Sequence, residues 1–151
     1  VDVEANKALV RRYFDEIVSH GILEAVDELF HPEFHSHGAP PDAPRGTERV
    51  KTVWRNWRAA FPDWTAAVEF QVAESDLVAT RITAQGKQTG ELRHPRFGVI
   101  PATGRYATVT ATVTFRLRDG KLYENWESGD FLGFFQQLGV VQLVAQPLST
   151  S

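Results

Sequence analysis

Thirteen residues, Tyr106 to Arg118, alternate between apolar and polar side chains with hardly a break. Ala107, Val109, Ala111, Val113, Phe115 and Leu117 fall on one parity, and Thr108, Thr110, Thr112 and Thr114 on the other. A period of two belongs to a β-strand, whose successive side chains point to opposite faces. This segment therefore has to be a strand with one face against a core, and its sheet must present that face to another layer. The threonine face is polar but β-branched, so it suits either solvent or a second subunit. Because it carries few charges, the expectation is an oligomer interface.

The flanking segments supply the other layer. Asp119-Gly120 is a hairpin signal leading through Lys121-Leu122-Tyr123 into a last strand. Phe131, Phe134, Phe135 and Leu138 then recur at helical spacing, with Gly139 placed as a C-terminal cap and Asp130 at the strand-to-helix junction. Upstream, Thr65 to Ala73 alternates around Val68, Phe70 and Val72, Glu74-Ser75-Asp76 reads as a turn, and Leu77 to Gln88 as the next strand. Thr89 to Gly104 reads as irregular.

At the N-terminus, Leu9, Val10, Tyr13, Phe14, Ile17 and Val18 share one face of a first helix that ends at His20-Gly21. A second helix is expected over Ile22 to Phe30, stopped by Pro32, and a third from an N-cap at Thr47 to about Phe61. Glu33 to Gly38 reads as too short for a core strand, although alternation puts His35 and His37 on one side. Helices first and antiparallel strands second is an α+β pattern: three N-terminal helices packed on a curved antiparallel sheet, enclosing a cone-shaped apolar pocket. One domain over residues 1–144 is expected, with 145–151 a flexible tail.

Composition removes several classes of function. A chain of 151 residues without cysteine has no disulfide framework and no thiolate nucleophile or metal site. The net charge of -3 and dispersed arginines offer nothing to nucleic acid. No apolar run approaches the ~20 residues of a membrane helix, and the N-terminus lacks a basic stretch followed by an apolar one. A cytoplasmic location is expected, with small hydrophobic molecules or copies of the chain as partners. With no methionine, the chain is expected to lack its initiator. His35 and His37 lack a third ligand, and there is no Gly-rich phosphate turn, so neither metal nor organic cofactor is expected.

Several short motifs occur together and in order: His37, Phe61-Pro62-Asp63, Pro101-Ala102-Thr103-Gly104-Arg105, Asp119-Gly120-Lys121, Trp126 to Asp130, and Gln137-Leu138-Gly139. In these the chain resembles the SnoaL-like polyketide cyclases of the nuclear-transport-factor-2-like superfamily over almost its full length. The resemblance implies an NTF2-like α+β barrel, a homodimer or homotetramer, no cofactor, and an acid/base aspartate at the position of Asp130. Two features depart from that pattern. Gln88 stands where many relatives have histidine, and Glu91 to Val99 is longer and more basic than usual.

Strand alternation puts Glu124, Trp126, Ser128 and Asp130 on one face, an aromatic wall ending in a carboxylate. Asp130 reads as the acid/base catalyst and equally as an N-cap; the two roles are compatible. His37 is the candidate that polarises a substrate carbonyl, with His35 beside it. Trp126, His35, Tyr13, Glu124, Gln88 and Trp57 are substrate-binding candidates, although tyrosine and tryptophan at helical spacing are core residues by default. Glu124, if buried, needs a partner such as Arg81 or Arg116. The reaction implied is an intramolecular aldol ring closure of an aromatic polyketide. The alternatives are a cofactor-less hydroxylase, an isomerase, or a module that binds a ligand without changing it.

Overall fold

The computed structural model describes residues 2–149. Helix α1 (Val3–Arg12) continues into a π-helical stretch at Tyr13–Ser19. A 3₁₀ turn at Leu23–Ala25 then leads to the single turn α2 (Val26–Leu29). After β1 (Phe30–Ser36) and α3 (Thr47–Ala60) come β2 (Thr65–Glu74), β3 (Leu77–Lys87) and a small hairpin, β4 (Leu92–His94) with β5 (Gly98–Ile100). The chain finishes with β6 (Tyr106–Arg118), β7 (Lys121–Gly129) and α4 (Phe131–Leu138). Five strands make one sheet in the order β1-β7-β6-β3-β2, and β4 and β5 pair separately.

The alternation of β6 sets the layers. Its residues from Ala107 to Leu117 on the apolar parity are all buried, while Thr108, Thr110, Thr112 and Thr114 are half-buried on the outer face. The inner face is covered by Val10, Phe14 and Ile17 from the first helix, Val50 and Ala60 from α3, and Phe134 from α4. Phe115 is fully buried, with the rings of Tyr13, Phe30 and Phe34 around it at 5.2, 6.3 and 6.4 Å. Arg58 ties three segments together by donating to the carbonyls of Val18, Pro62 and Trp64. Gly21 takes the left-handed conformation that ends the first helix, as its position suggests.

Five expectations are corrected. The second helix is only a 3₁₀ turn and α2, because from Phe30 the chain becomes a strand. The stretch with His35 and His37 pairs in parallel with β7, which leaves the main sheet antiparallel except at this edge. Pro32, with no N–H to donate, is tolerated because β1 is outermost. In β2 the register shifts between Val68 and Phe70. That bulge turns Phe70 and Val72 outward, 57% and 63% exposed, and separates them from Val68. The irregular stretch 89–104 contains the β4–β5 hairpin. Finally, Gly46 rather than Thr47 caps α3; its φ of 107 is open to glycine but not to a β-branched residue.

Beyond the end of β7, the side-chain amide of Gln137 takes the place of a strand partner. It accepts from the Thr108 N–H at 2.8 Å and donates to the Thr108 carbonyl at 3.0 Å, which docks α4 on the free edge of β6. Residues 140–149 form no helix or strand, and Val144 and Leu148 are exposed. Residues 150 and 151 of the expected tail lie outside the described residues. No helix among the described residues is long and apolar enough to cross a membrane.

Candidate active site

The chemistry-bearing residues of β7 divide between its two faces, and a bulge decides how. From the Asp119-Gly120 turn, both residues of which have positive φ, Arg118 pairs with Lys121 and Leu117 with Leu122. Between Arg116 and Leu117 the register then shifts, so that Arg116 faces Glu124 and Phe115 faces Asn125. Cross-strand partners share a face. Asn125, Glu127 and Gly129 therefore point with Phe115, Val113 and Ala111 toward the helices, while Glu124, Trp126 and Ser128 point outward with the threonines.

Glu127 is the unusual inward group. Water reaches its side chain near the open end of the strand, although protein atoms lie close around the carboxyl group. It has no charged or hydrogen-bonding partner among the described residues, and burial raises its pKa above the usual carboxylate range. Its charge acts on Tyr13. That phenol is buried, and burial first and Glu127 second raise its pKa well above the ordinary tyrosine value, so it remains a donor. Trp57 stacks on Phe61 and Phe134 at 5.1 and 5.8 Å. Its buried indole Nε1 has no acceptor, and the buried Oδ1 of Asn125 has no donor. Native interiors rarely leave such atoms unpaired, and one donor and one acceptor with unmet capacity are what a bound ligand would fill. Among the described residues no His, Asp and Glu side chains gather as a metal would require.

The outward face carries a separate polar cluster. His37 Nε2 lies 2.8 Å from Glu124 Oε2, and its ring stacks on Trp126 with centroids 4.6 Å apart and planes within 5°. His35 meets His37 edge-on at 4.6 Å. Arg116 donates to Glu124 at 2.8 Å and to both oxygens of Asp76 at 2.9 and 3.0 Å. The hydrogen bond from His37, with a further one from Arg116, lowers the pKa of Glu124, so this carboxylate stays ionised. Such a group is a poor proton shuttle.

A sequence profile described as SnoaL-like polyketide cyclase matches residues 8–138. The chain belongs to this family. It is 29% identical over 134 residues to aklanonic acid methyl ester cyclase DnrD of Streptomyces peucetius, covering 87% of this chain and 88% of that one. Among solved structures it resembles IdmH of Streptomyces antibioticus, described as a putative polyketide cyclase, at 34% identity. That match covers 89% of this chain and 99% of IdmH with a TM-score of 0.72. TsrD of Streptomyces laurentii is 28% identical, with 93% and 99% coverage and a TM-score of 0.82.

In this SnoaL-like chain the short motifs of the family are mostly turns and clamps. Phe61 is buried, and Asp63 accepts from the Lys87 N–H at 2.9 Å. Thr103 and Gly104 bond to Gln88. Asp130 caps α4, accepting from the Gly133 N–H at 2.9 Å, and is exposed. Asp130→Ala should cost about 1 kcal/mol, and Asp130→Asn almost nothing, because asparagine caps a helix equally well. Urea denaturation of both variants measures this.

Of the candidates read from sequence, only Tyr13 and Trp57 face the interior with Glu127. Trp126, Glu124, His37 and His35 lie on the outer face and line no interior pocket, because the β7 bulge inverts the alternation counted from Leu122. Gln88 is fully buried among backbone carbonyls and faces no hollow. The inward polar groups Glu127 and Asn125 are not among those candidates. The available signal was Arg116: pairing Glu124 with it on the polar parity of β6 forces Glu124 outward and Glu127 in.

Proposed function

We propose that this chain closes a ring in a flat, carbonyl-rich metabolite by an intramolecular aldol reaction, with Glu127 as the acid/base group. The observation that supports this most directly is an unpaired carboxylate of raised pKa on the inward face of β7, whose charge is felt by the buried Tyr13 hydroxyl. A general base works best with a pKa near the working pH, and burial moves a glutamate in that direction. Glu127 removes the proton from a carbon flanked by two carbonyls, and the electron pair passes into an enolate. Tyr13 donates a hydrogen bond to the developing oxyanion. The enolate carbon bonds to a second carbonyl carbon of the same molecule, and Glu127 returns its proton to the new alkoxide. Atoms balance without redox change. The aromatic walls of Trp57 and Phe134 hold the chain folded, which contributes through proximity.

The test uses a linear or partly cyclised aromatic polyketide in D₂O, followed by mass spectrometry and an oxygen electrode. Ring closure with no oxygen uptake, and deuterium at the carbon between carbonyls in recovered substrate, are the expected results. Stoichiometric oxygen uptake would replace the aldol reading with hydroxylation. Return of the ligand unchanged and unlabelled would leave only binding.

The outer sheet face supports a proposal for the partner: a second copy of this chain. Across the strands, Val72, Ala79, Thr114 and Trp126 form one row, and Phe70, Arg81, Thr112 and Ser128 the next. In the first row bulk stands at both margins, Val72 and Trp126, with small side chains between, and Phe70 adds to the β2 margin in the second, so a copy turned about a two-fold axis sets its Phe70 and Val72 into the trough. The charges in and beside these two rows are already paired within the chain, Arg81 with Glu69 and Arg116 with Asp76 and Glu124, so covering the rows leaves these paired. Sedimentation should show a dimer at micromolar concentration and a monomer for Thr112→Arg. A monomeric wild type would sink the idea.

A further inference from the structure

The β4–β5 hairpin has a base that is fastened and a tip that is only latched. At the base, the Gln88 side chain donates to the carbonyls of Gly90, Ile100 and Pro101 at 3.2, 3.3 and 3.2 Å and accepts from Thr103 Oγ1 at 2.8 Å. Its backbone N–H donates to Arg105, and its carbonyl accepts from Gly104, both at 2.9 Å. Thr89 and Gly90 donate to the carbonyl of Ala60 at the end of α3. A Cβ at Gly90 would stand 2.2 Å from the Ala59 carbonyl oxygen, so the base is pressed onto α3.

The tip is held by one nitrogen. His94 pairs with Gly98, and Pro95, Arg96 and Phe97 turn between them, with Gly98 at a φ of 80. His94 Nδ1 accepts from the N–H groups of Arg96 and Phe97 at 3.1 and 3.3 Å. The imidazole stacks on Phe97 at 4.5 Å, and both rings meet the edge of Phe135 on α4, at 6.0 and 5.2 Å. Behind Phe135 stand Phe134 and then Trp57.

We propose that this hairpin is a strap across the seam between α3 and α4, latched by the neutral imidazole of His94 and unlatched when that ring takes up a proton. An imidazole nitrogen accepts through its lone pair, and the imidazolium has an N–H at both positions. One proton therefore removes the acceptor for both tip amides together. Among the described residues nothing facing the ring favours the charge: Arg96 in the same turn is positive, Phe97 and Phe135 are hydrocarbon, and Glu91 beside β4 pairs with Arg93 at 3.2 Å. Burial first, and then Arg96, lower the pKa of His94. The latch is thus complete above the ordinary imidazole value of about 6.5 and is lost as pH falls through the lowered folded value. Release frees the tip and uncovers Phe135, while Gln88 keeps the base in place. This rests on the hairpin alone and not on the aldol reading.

The experiment is an amide NMR titration of the full chain from pH 8 to 4.5, with the His94 ring followed alongside. The Arg96 and Phe97 amides should shift with the His94 midpoint and lose about tenfold in protection from exchange, the equivalent of one net hydrogen bond. The Gly104 amide, held by Gln88, should not follow. In His94→Asn, whose side-chain carbonyl accepts from the same amides without titrating, the midpoint should vanish. Arg96 and Phe97 amides that stay unchanged through the His94 titration, or a midpoint that persists in His94→Asn, would overturn the proposal.

Discussion

Glu127→Gln is expected to lower turnover by about a hundredfold or more, the usual loss for an acid/base group, while raising the melting temperature at neutral pH. The two effects have one cause. Burial raises the pKa of Glu127, so the folded state binds its proton more tightly than the unfolded chain does. The stability this contributes is complete below the unfolded value of about 4.3 and is lost as pH rises through the folded value. Activity runs the other way, because only the ionised carboxylate can take a proton from carbon. In wild type, rising pH should therefore increase the rate and lower the melting temperature over one and the same range. Glutamine, uncharged and of similar size, should flatten the stability profile. The measurements are pH profiles of melting and of kcat for both proteins. Asp130→Asn is the control, and it should keep turnover within a few-fold, since the cap survives the change. If Asp130→Asn abolished turnover and Glu127→Gln did not, the acid/base role would return to Asp130, where the family resemblance first put it.

Gln88→Leu should be strongly destabilising. Leucine is close to glutamine in size but supplies no donor to the carbonyls of Gly90, Ile100 and Pro101 and no acceptor to Thr103. Each buried polar group left unpaired costs about 1–3 kcal/mol, so a loss of about 3 kcal/mol or more is expected. At about 2–4 °C per kcal/mol for a domain of this size, the melting temperature should drop by about 6–12 °C. Thermal melts followed by circular dichroism read this directly. If Gln88 instead contacted substrate, the variant would lose turnover with its melting temperature unchanged.

Much of the architecture is legible in the residues because it depends on local rules. The alternation of β6 sets both faces of the central strand, the i, i+3, i+4, i+7 spacing of Phe131 to Leu138 sets α4, and Asp119-Gly120 and Gly139 supply the backbone conformations that a hairpin and a helix end require. The short family motifs are legible for the same reason, being turns and clamps. Asp130 reads correctly as a cap from its position alone. What sequence could not decide is which parity of β7 meets the helices. One bulge, between Arg116 and Leu117 on β6 and Leu122 and Glu124 on β7, moves every later residue of β7 to the other face. It takes Trp126, Glu124 and the His37 that stacks on one and bonds to the other out of the interior and brings Glu127 in. A bulge has little local signature, because the extra residue is accommodated by pairing with another strand and is favoured when a charge such as Glu124 meets Arg116 instead of opposing Phe115. The same holds for Gln88, whose side-chain partners lie up to fifteen residues away. A parity can be counted along a chain, but a register is a property of two strands, and only the folded sheet sets it.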